Sequence, residues 1–362
     1  MVMNDSINKR ANFIRYSYIE NIDNYLLAFE NKLNTNGIDV KWISNEEELC
    51  SCILSSLPKA HFNKVCFDLP SIPEGLSNTN NVIKSISVED LERNIESSDF
   101  LITNANFGLV DTGSVVVFNH QCKNCFNKVD HIIFILNLNN VIAKSTDLGI
   151  ILSLYDRDMV YGNQQSVDII SQPFNKIISN NYQFEQQEES YSTQKVNITV
   201  LLYDNGITEI LNNVKLRETL YCINCGNCKK VCPVYKINHK YSPIELVKNN
   251  AFANNRRTND IFENTTLCGN CDKVCPVLIP FMNMLISEME TVANNDHDDN
   301  WRDLGKTFSK RMKLNKLNGK FRRYFFLRKI FNNNKKLLNY FMSQQDDFYN
   351  LTNTKVEENA TL

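Results

Sequence analysis

Apolar side chains recur at helical spacing between Ser6 and Asn34, through Ile14, Tyr18, Ile22, Tyr25, Leu26, Phe29 and Leu33. The stripe stops near Gly37, a residue suited to ending a helix. Ile38 to Ile43 then alternates as a strand does. Asn45 to Leu57 predicts a second helical stretch, with Asn45 as N-cap and Glu46, Glu47 and Glu48 at the positive end of the helix dipole. Short apolar runs predict strands at Lys64–Phe67, Phe100–Thr103, Val115–Phe118, His131–Leu136 and Val196–Tyr203, the last closed by the turn Asp204-Asn205-Gly206. Ser87 to Ser97 reads as a helix between two of these strands. Gln172 to Lys195 is rich in Gln, Asn, Ser and Glu and predicts a long surface loop. Strands interleaved with helices over some two hundred residues predict an α/β domain with a largely parallel sheet.

Three segments follow from these patterns: an α/β domain over 1–214, a cysteine-bearing domain over 215–293, and a basic helical segment with a polar tail over 294–362. The run Asn294-Asn295-Asp296-His297-Asp298-Asp299-Asn300 marks the second break. The net charge of −2 hides an asymmetry: residues 301–340 hold 13 Lys and Arg against one acid, Asp303, leaving the rest of the chain at −14. The overall balance gives no reason to expect nucleic acid as a partner. No apolar run approaches the roughly 18 residues of a spanning helix, and Met1 to Arg10 is not followed by a secretory core, so a cytoplasmic protein is expected.

The chain has 12 cysteines, seven of them between Cys222 and Cys275. Clustered thiols without an export signal point to a metal site before a disulfide framework. Cys222, Cys225, Cys228 and Cys232, followed by Pro233, have the spacing of a two-cluster ferredoxin run, in which the fourth cysteine serves the other cluster. Geometry explains the spacing. A tight loop around Gly226 wraps three thiolates about one cluster, and the next turn carries the fourth sulfur away. Cys268, Cys271 and Cys275, followed by Pro276, repeat the pattern with Gly269 in the corresponding place, but Thr265 stands where a first cysteine belongs.

The crossed arrangement predicts one iron–sulfur cluster on Cys222, Cys225, Cys228 and Cys275, and a second on Cys232, Cys268 and Cys271. The second is left with three choices: a [3Fe-4S] species, a [4Fe-4S] cluster with a non-Cys ligand or substrate at the free iron, or a cysteine from elsewhere. A single zinc on two Cys-x2-Cys pairs is the competing reading. It leaves three of the seven cysteines and both Cys-Pro elements without a purpose. Between the motifs, Ser242-Pro243-Ile244-Glu245 predicts a helix start with Ser242 as N-cap, so the second domain is expected to be α-helical.

These residues resemble the lactate-utilisation protein B family, the iron–sulfur subunit of the bacterial L-lactate oxidation complex. The likeness runs through Tyr203-Asp204-Asn205-Gly206, Leu220-Tyr221-Cys222-Ile223-Asn224-Cys225-Gly226-Asn227-Cys228, Val231-Cys232-Pro233-Val234-Tyr235, Leu267-Cys268-Gly269-Asn270-Cys271 and Val274-Cys275-Pro276-Val277. Upstream, Ile102 to Val116, with Asp111-Thr112-Gly113-Ser114 at its centre, resembles that family's N-terminal domain. The resemblance implies a sugar-isomerase and CoA-transferase-like α/β fold followed by a two-cluster ferredoxin-type domain with two [4Fe-4S] clusters. It also implies electron transfer in cytoplasmic oxidation of L-lactate to pyruvate, with other subunits of the complex and an electron acceptor as partners. The alternative is a redox-sensing or scaffold protein that carries clusters without a direct role in lactate oxidation.

Other signals are weaker. Asp111, Thr112, Gly113 and Ser114 form a possible ligand loop for a carboxylate or phosphate, or else a self-capped turn. His120, Cys122 and Cys125 are a candidate small metal site, more simply an incidental pair. Cys50, Cys52 and Cys66 are expected to pack as small apolar residues. Residues 310–336 pair basic side chains with apolar ones at helical spacing. They suit docking on an anionic partner or a membrane surface, or packing within the protein itself. No Gly-x-Gly-x-x-Gly run supports a nicotinamide or flavin site, and no catalytic residue is assigned.

Overall fold

The computed structural model describes residues 5–57, 65–69, 73–77, 82–84, 95, 98–118, 126–156, 167–179, 189–252, 261 and 264–295. The chain divides into two compact units, one of Lys9–Thr208 and one of Glu209 onward together with the first residues through Asn8.

The first unit is built on a six-stranded sheet. Its strands are β1 (Asp39–Ile43), β2 (Val65–Asp68), β3 (Val82–Lys84), β4 (Phe100–Asn104), β7 (His131–Asn137) and β12 (Asn197–Tyr203). They lie in the order β1-β12-β7-β4-β2-β3, and every pairing is parallel. Parallel sheets of this kind are covered on both faces, so their central strands read as continuous apolar runs. Ile132 to Leu136 of β7 and Ile198 to Leu202 of β12 are all buried. Alternate residues of β7 point opposite ways. Ile133 and Ile135 join Ile102, Phe67 and Leu201 in a core with Leu49, Cys50 and Ile53 of helix α3 (Glu46–Ser56).

Helix α3 begins as its sequence predicts. The Glu48 N–H donates to Asn45 Oδ1 at 2.9 Å, and the N–H of Ser44, one residue before the cap, donates to Glu48 Oε2 at 2.8 Å. Cys50 and Cys66 are buried and Cys52 is half-buried, with Cys50 in the core and Cys52 packed against it. The stripe from Ser6 to Asn34 is two helices, α1 (Asp5–Ile19) and α2 (Ile22–Thr35), because Asn21 leaves the helical backbone region at φ −127°, ψ 26°. The stripe survives the break: Ile22, Leu26, Phe29 and Leu33 of α2 remain buried.

Two parts of the first unit differ from expectation. The predicted loop over 172–195 contains an antiparallel pair, β10 (Asn175–Ser179) with β11 (Glu189–Lys195), bulged between Asn175 and Ile177. Backbone pairing makes this ribbon, and its polar composition conceals it. A second sheet of four strands also forms, in the order β8-β5-β6-β9, from β5 (Phe107–Leu109), β6 (Ser114–Phe118), β8 (Val141–Ile142) and β9 (Val167–Ile170). Gly108 in β5 sits where a Cβ would lie 2.6 Å from the Phe29 ring and 2.9 Å from Leu136. The expected helix over Ser87–Ser97 lies outside the described residues except at Ile95, which is helical and buried.

The second unit is helical, with longer helices at Pro243–Phe252 and Phe281–Asn295. The latter runs two residues past the break expected at 293. Ser242 caps the former: its hydroxyl accepts from the Glu245 N–H at 3.3 Å, and its own N–H donates to Glu245 Oε2 at 2.8 Å. Among the described residues no helix is long and apolar enough to cross a membrane.

Candidate metal centre

Each cysteine motif is a tight loop followed by a five-residue helix. In the first, a short 3-10 turn over Arg217–Tyr221 buries Leu220 and Tyr221 and delivers Cys222 at its end. Asn224 and Gly226 then take the left-handed backbone at φ 60° and 72°, and helix Asn227–Val231 presents Cys228 before Cys232 terminates it. In the second, Leu267 and Gly269 are left-handed at φ 51° and 74°, helix Asn270–Val274 presents Cys271, and Cys275 terminates it. Gly226 has open space where a Cβ would stand, so its positive φ, and not crowding, favours glycine there.

The thiols influence one another in two sets. Burial pushes Cys225 up to about 11, and Cys222 adds to the rise. Burial likewise pushes Cys228 and Cys275 each up to about 12, and in both cases Cys222 and Cys225 contribute. Cys271 is raised by burial first, then by Asp272, Cys268 and Cys232. Cys232 is raised by burial, with Cys268 adding to it. Thus Cys222 and Cys225 bear on both Cys228 and Cys275, across the two motifs, and Cys232 and Cys268 both bear on Cys271. Among the described residues no three His, Cys, Asp or Glu side chains are grouped to hold a single metal ion.

Backbone N–H groups are aimed at sulfur in both sets. The Asn224 N–H donates to Cys222 Sγ at 3.3 Å, the Tyr235 N–H to Cys232 Sγ at 3.4 Å, and the Ile279 N–H to Cys275 Sγ at 3.4 Å. Such donors favour the thiolate over the neutral thiol, and hydrogen bonds to sulfur tune iron–sulfur potentials. Soft sulfur donors, four buried and three half-buried, with N–H groups directed at three of them, fit iron–sulfur clusters.

A tie invisible in the cysteine spacing steadies the first motif. Lys229 donates to Glu245 Oε1 at 3.0 Å and lies 5.5 Å from the centre of the Tyr235 ring. Burial opposes charge on Glu245, but its bonds from Ser242 and Lys229 outweigh this and hold the carboxyl below its usual range. A Lys followed by Glu at the third position of a capped helix was the available signal.

The loop Asp111 to Ser114 lies between β5 and β6, and its polar groups bond within the domain. Asp111 accepts from the Ser145 N–H at 3.0 and 2.9 Å and from its hydroxyl at 2.8 Å. The Ser114 hydroxyl donates to Thr112 Oγ1 at 2.7 Å and meets Ser171 Oγ at 2.8 Å. Asn36 Nδ2 donates to the carbonyls of Thr112 and Gly113, and a Cβ at Gly113 (φ 63°) would come within 2.9 Å of the Lys32 backbone. His120, Cys122, Cys125 and residues 310–336 lie outside the described residues.

Residues 26–173 match the LUD domain and residues 218–279 match the 4Fe-4S dicluster domain. The chain therefore joins a LUD domain to a 4Fe-4S dicluster domain. Curated relatives include proteins named Lactate utilization protein B from Bacillus cytotoxicus and Bacillus cereus, each 22% identical over 293 residues, 64% of this chain and 59% of the relative. The chain spans about three fifths of the length of the curated relatives it matches. Among solved structures, a DUF162 family protein from Deinococcus radiodurans aligns with a TM-score of 0.35 and 13% identity, over 51% of this chain and 98% of that one.

Proposed function

We propose that this chain is the iron–sulfur electron-transfer subunit of a complex that oxidises L-lactate to pyruvate. Cys222, Cys225, Cys228 and Cys275 hold one cluster, and Cys232, Cys268 and Cys271 hold the other. The observation that carries this reading is the pair of matching cysteine motifs, each a left-handed turn feeding a five-residue helix, within the residues that match the 4Fe-4S dicluster domain. The relatives named Lactate utilization protein B support the substrate.

Bound there, iron–sulfur clusters supply one-electron carriers. The chain's own part is to hold the thiolates, stabilise their charge and limit the access of water. The Tyr235 and Ile279 N–H groups work against the burial that disfavours negative sulfur on Cys232 and Cys275. In this reading the LUD domain is the docking and positioning half, the chain is proposed to divide functionally near 214/215 and 293/294, and the partners are the other subunits and an electron acceptor.

The test is genetic and chemical together. Deleting the gene is expected to abolish growth on L-lactate, and a plasmid copy to restore it. The purified chain, mixed anaerobically with its co-expressed subunits, is expected to bleach in the visible when L-lactate is added. Normal growth without a redundant pathway, with no bleaching, contradicts the assignment.

A further inference from the structure

The two cysteine motifs are one structure made twice, 43 residues apart in the sequence. Cys225, Gly226, Cys228 and Cys232 correspond to Cys268, Gly269, Cys271 and Cys275. The backbone repeats as well as the spacing. Left-handed Asn224 (φ 60°) corresponds to left-handed Leu267 (φ 51°), and Gly226 (φ 72°) to Gly269 (φ 74°). By the same offset Cys222 corresponds to Thr265.

Their side chains make the same contact. Cys222 Sγ accepts from the N–H two residues on, that of Asn224, at 3.3 Å. Thr265 Oγ1 accepts from the N–H two residues on, that of Leu267, at 3.1 Å. Thr265 therefore keeps the turn that presents a first ligand, with oxygen in place of sulfur. It is half-buried, and it lines one cavity together with Cys232, Cys268 and Cys271. The three cysteines of the incomplete set and the threonine in the missing position thus line a common space. A threonine oxygen with one lone pair engaged by an N–H retains another for a metal.

We propose that Thr265 is the fourth ligand of the second cluster, its hydroxyl oxygen bound to the iron that no thiolate holds. The bond is a coordinate one, an oxygen lone pair donated to iron, and no oxidation state changes in forming it. Thr265 belongs to the metal site itself, which makes the two clusters chemically unequal: one held by sulfur throughout, the other with a single oxygen-ligated iron. This inference rests on the dicluster reading above, and the experiment separates the two.

The full chain is reconstituted anaerobically with sulfide and isotopically enriched iron, then examined by Mössbauer and electron paramagnetic resonance spectroscopy and by iron analysis. The wild type is expected to hold about eight irons in two clusters, one iron showing an oxygen-type site. Thr265→Val, similar in shape but lacking the oxygen, is expected to lose about one iron of the eight and to show a three-iron signal when oxidised. Thr265→Cys is expected to keep all its irons and to lose the oxygen-type site. A Val variant with the wild-type iron count and spectra overturns the proposal. If the Val variant fails to assemble, an unchanged iron spectrum in Thr265→Cys overturns it instead. Absence of clusters from the wild type contradicts the dicluster reading and removes the proposal with it.

Discussion

The two units are stabilised by different means. The α/β unit is held by hydrocarbon: three strands at the middle of its sheet are buried almost throughout, and helix α3 closes a continuous core over one face. The cysteine unit relies on short elements, two five-residue helices behind left-handed turns, with thiols at its centre. Helices of that length are not stable by themselves, and the neighbouring thiols raise one another's cost of ionisation. The first unit needs no added group to close its core. In the second, burial disfavours the thiolate form that ligation requires.

The largest effect is expected from breaking ligation. Cys225→Ser should remove the first cluster and destabilise Glu209–Asn295, since metal ligation can supply on the order of 10 kcal/mol to folding. Hydrogen exchange should show the loss in that unit while β4, β7 and β12 keep their protection. Equal loss in both units would erase the contrast. Phe134→Ala, at a fully buried position of β7, should cost the α/β unit about 3–5 kcal/mol in denaturant unfolding and leave the iron content per folded chain unchanged.

A finer comparison uses two glycines, both at positive φ. Gly113→Ala meets the Lys32 backbone as well as backbone strain, and should cost about 1–3 kcal/mol. Gly226→Ala meets open space, so strain alone remains, about 1–2 kcal/mol, measured as a smaller fall in Tm. The smallest effect concerns acid. Burial lowers the pKa of His131, whose ring nitrogen lies 2.8 Å from Thr199 Oγ1. The unfolded chain therefore binds the proton first, and stability falls as pH drops below about 6.5 toward the lower folded value. His131→Gln should flatten that acid-side slope in unfolding curves taken at several pH values.

What was legible in the chain tracks how locally each feature is determined. Ligand spacing is local, so the seven cysteines, Gly226, Gly269 and the vacancy at Thr265 all stand out in the sequence. Caps are local too, and Asn45 and Ser242 bond as their neighbours suggest. The strands β2, β4, β7 and β12 were readable because burial makes them continuous apolar runs, β1 by its alternation, while the three-residue β3 was not read at all. The ribbon of β10 and β11 was hidden, since an antiparallel pair needs no apolar run to form its backbone bonds. The strands β5, β8 and β9 are two to four residues long, too short for periodicity to register. Asp111 shows the same limit at the candidate loop: its partner Ser145 lies 34 residues away and no local pattern announces it.

The most direct measurement is metal and sulfide analysis of the chain purified without oxygen, combined with electron paramagnetic resonance before and after reduction. Two clusters predict about seven to eight irons per chain, matching sulfide, and signals that appear and vanish reversibly. One zinc per chain, with neither iron nor sulfide, would contradict the assignment of the seven cysteines to iron–sulfur clusters.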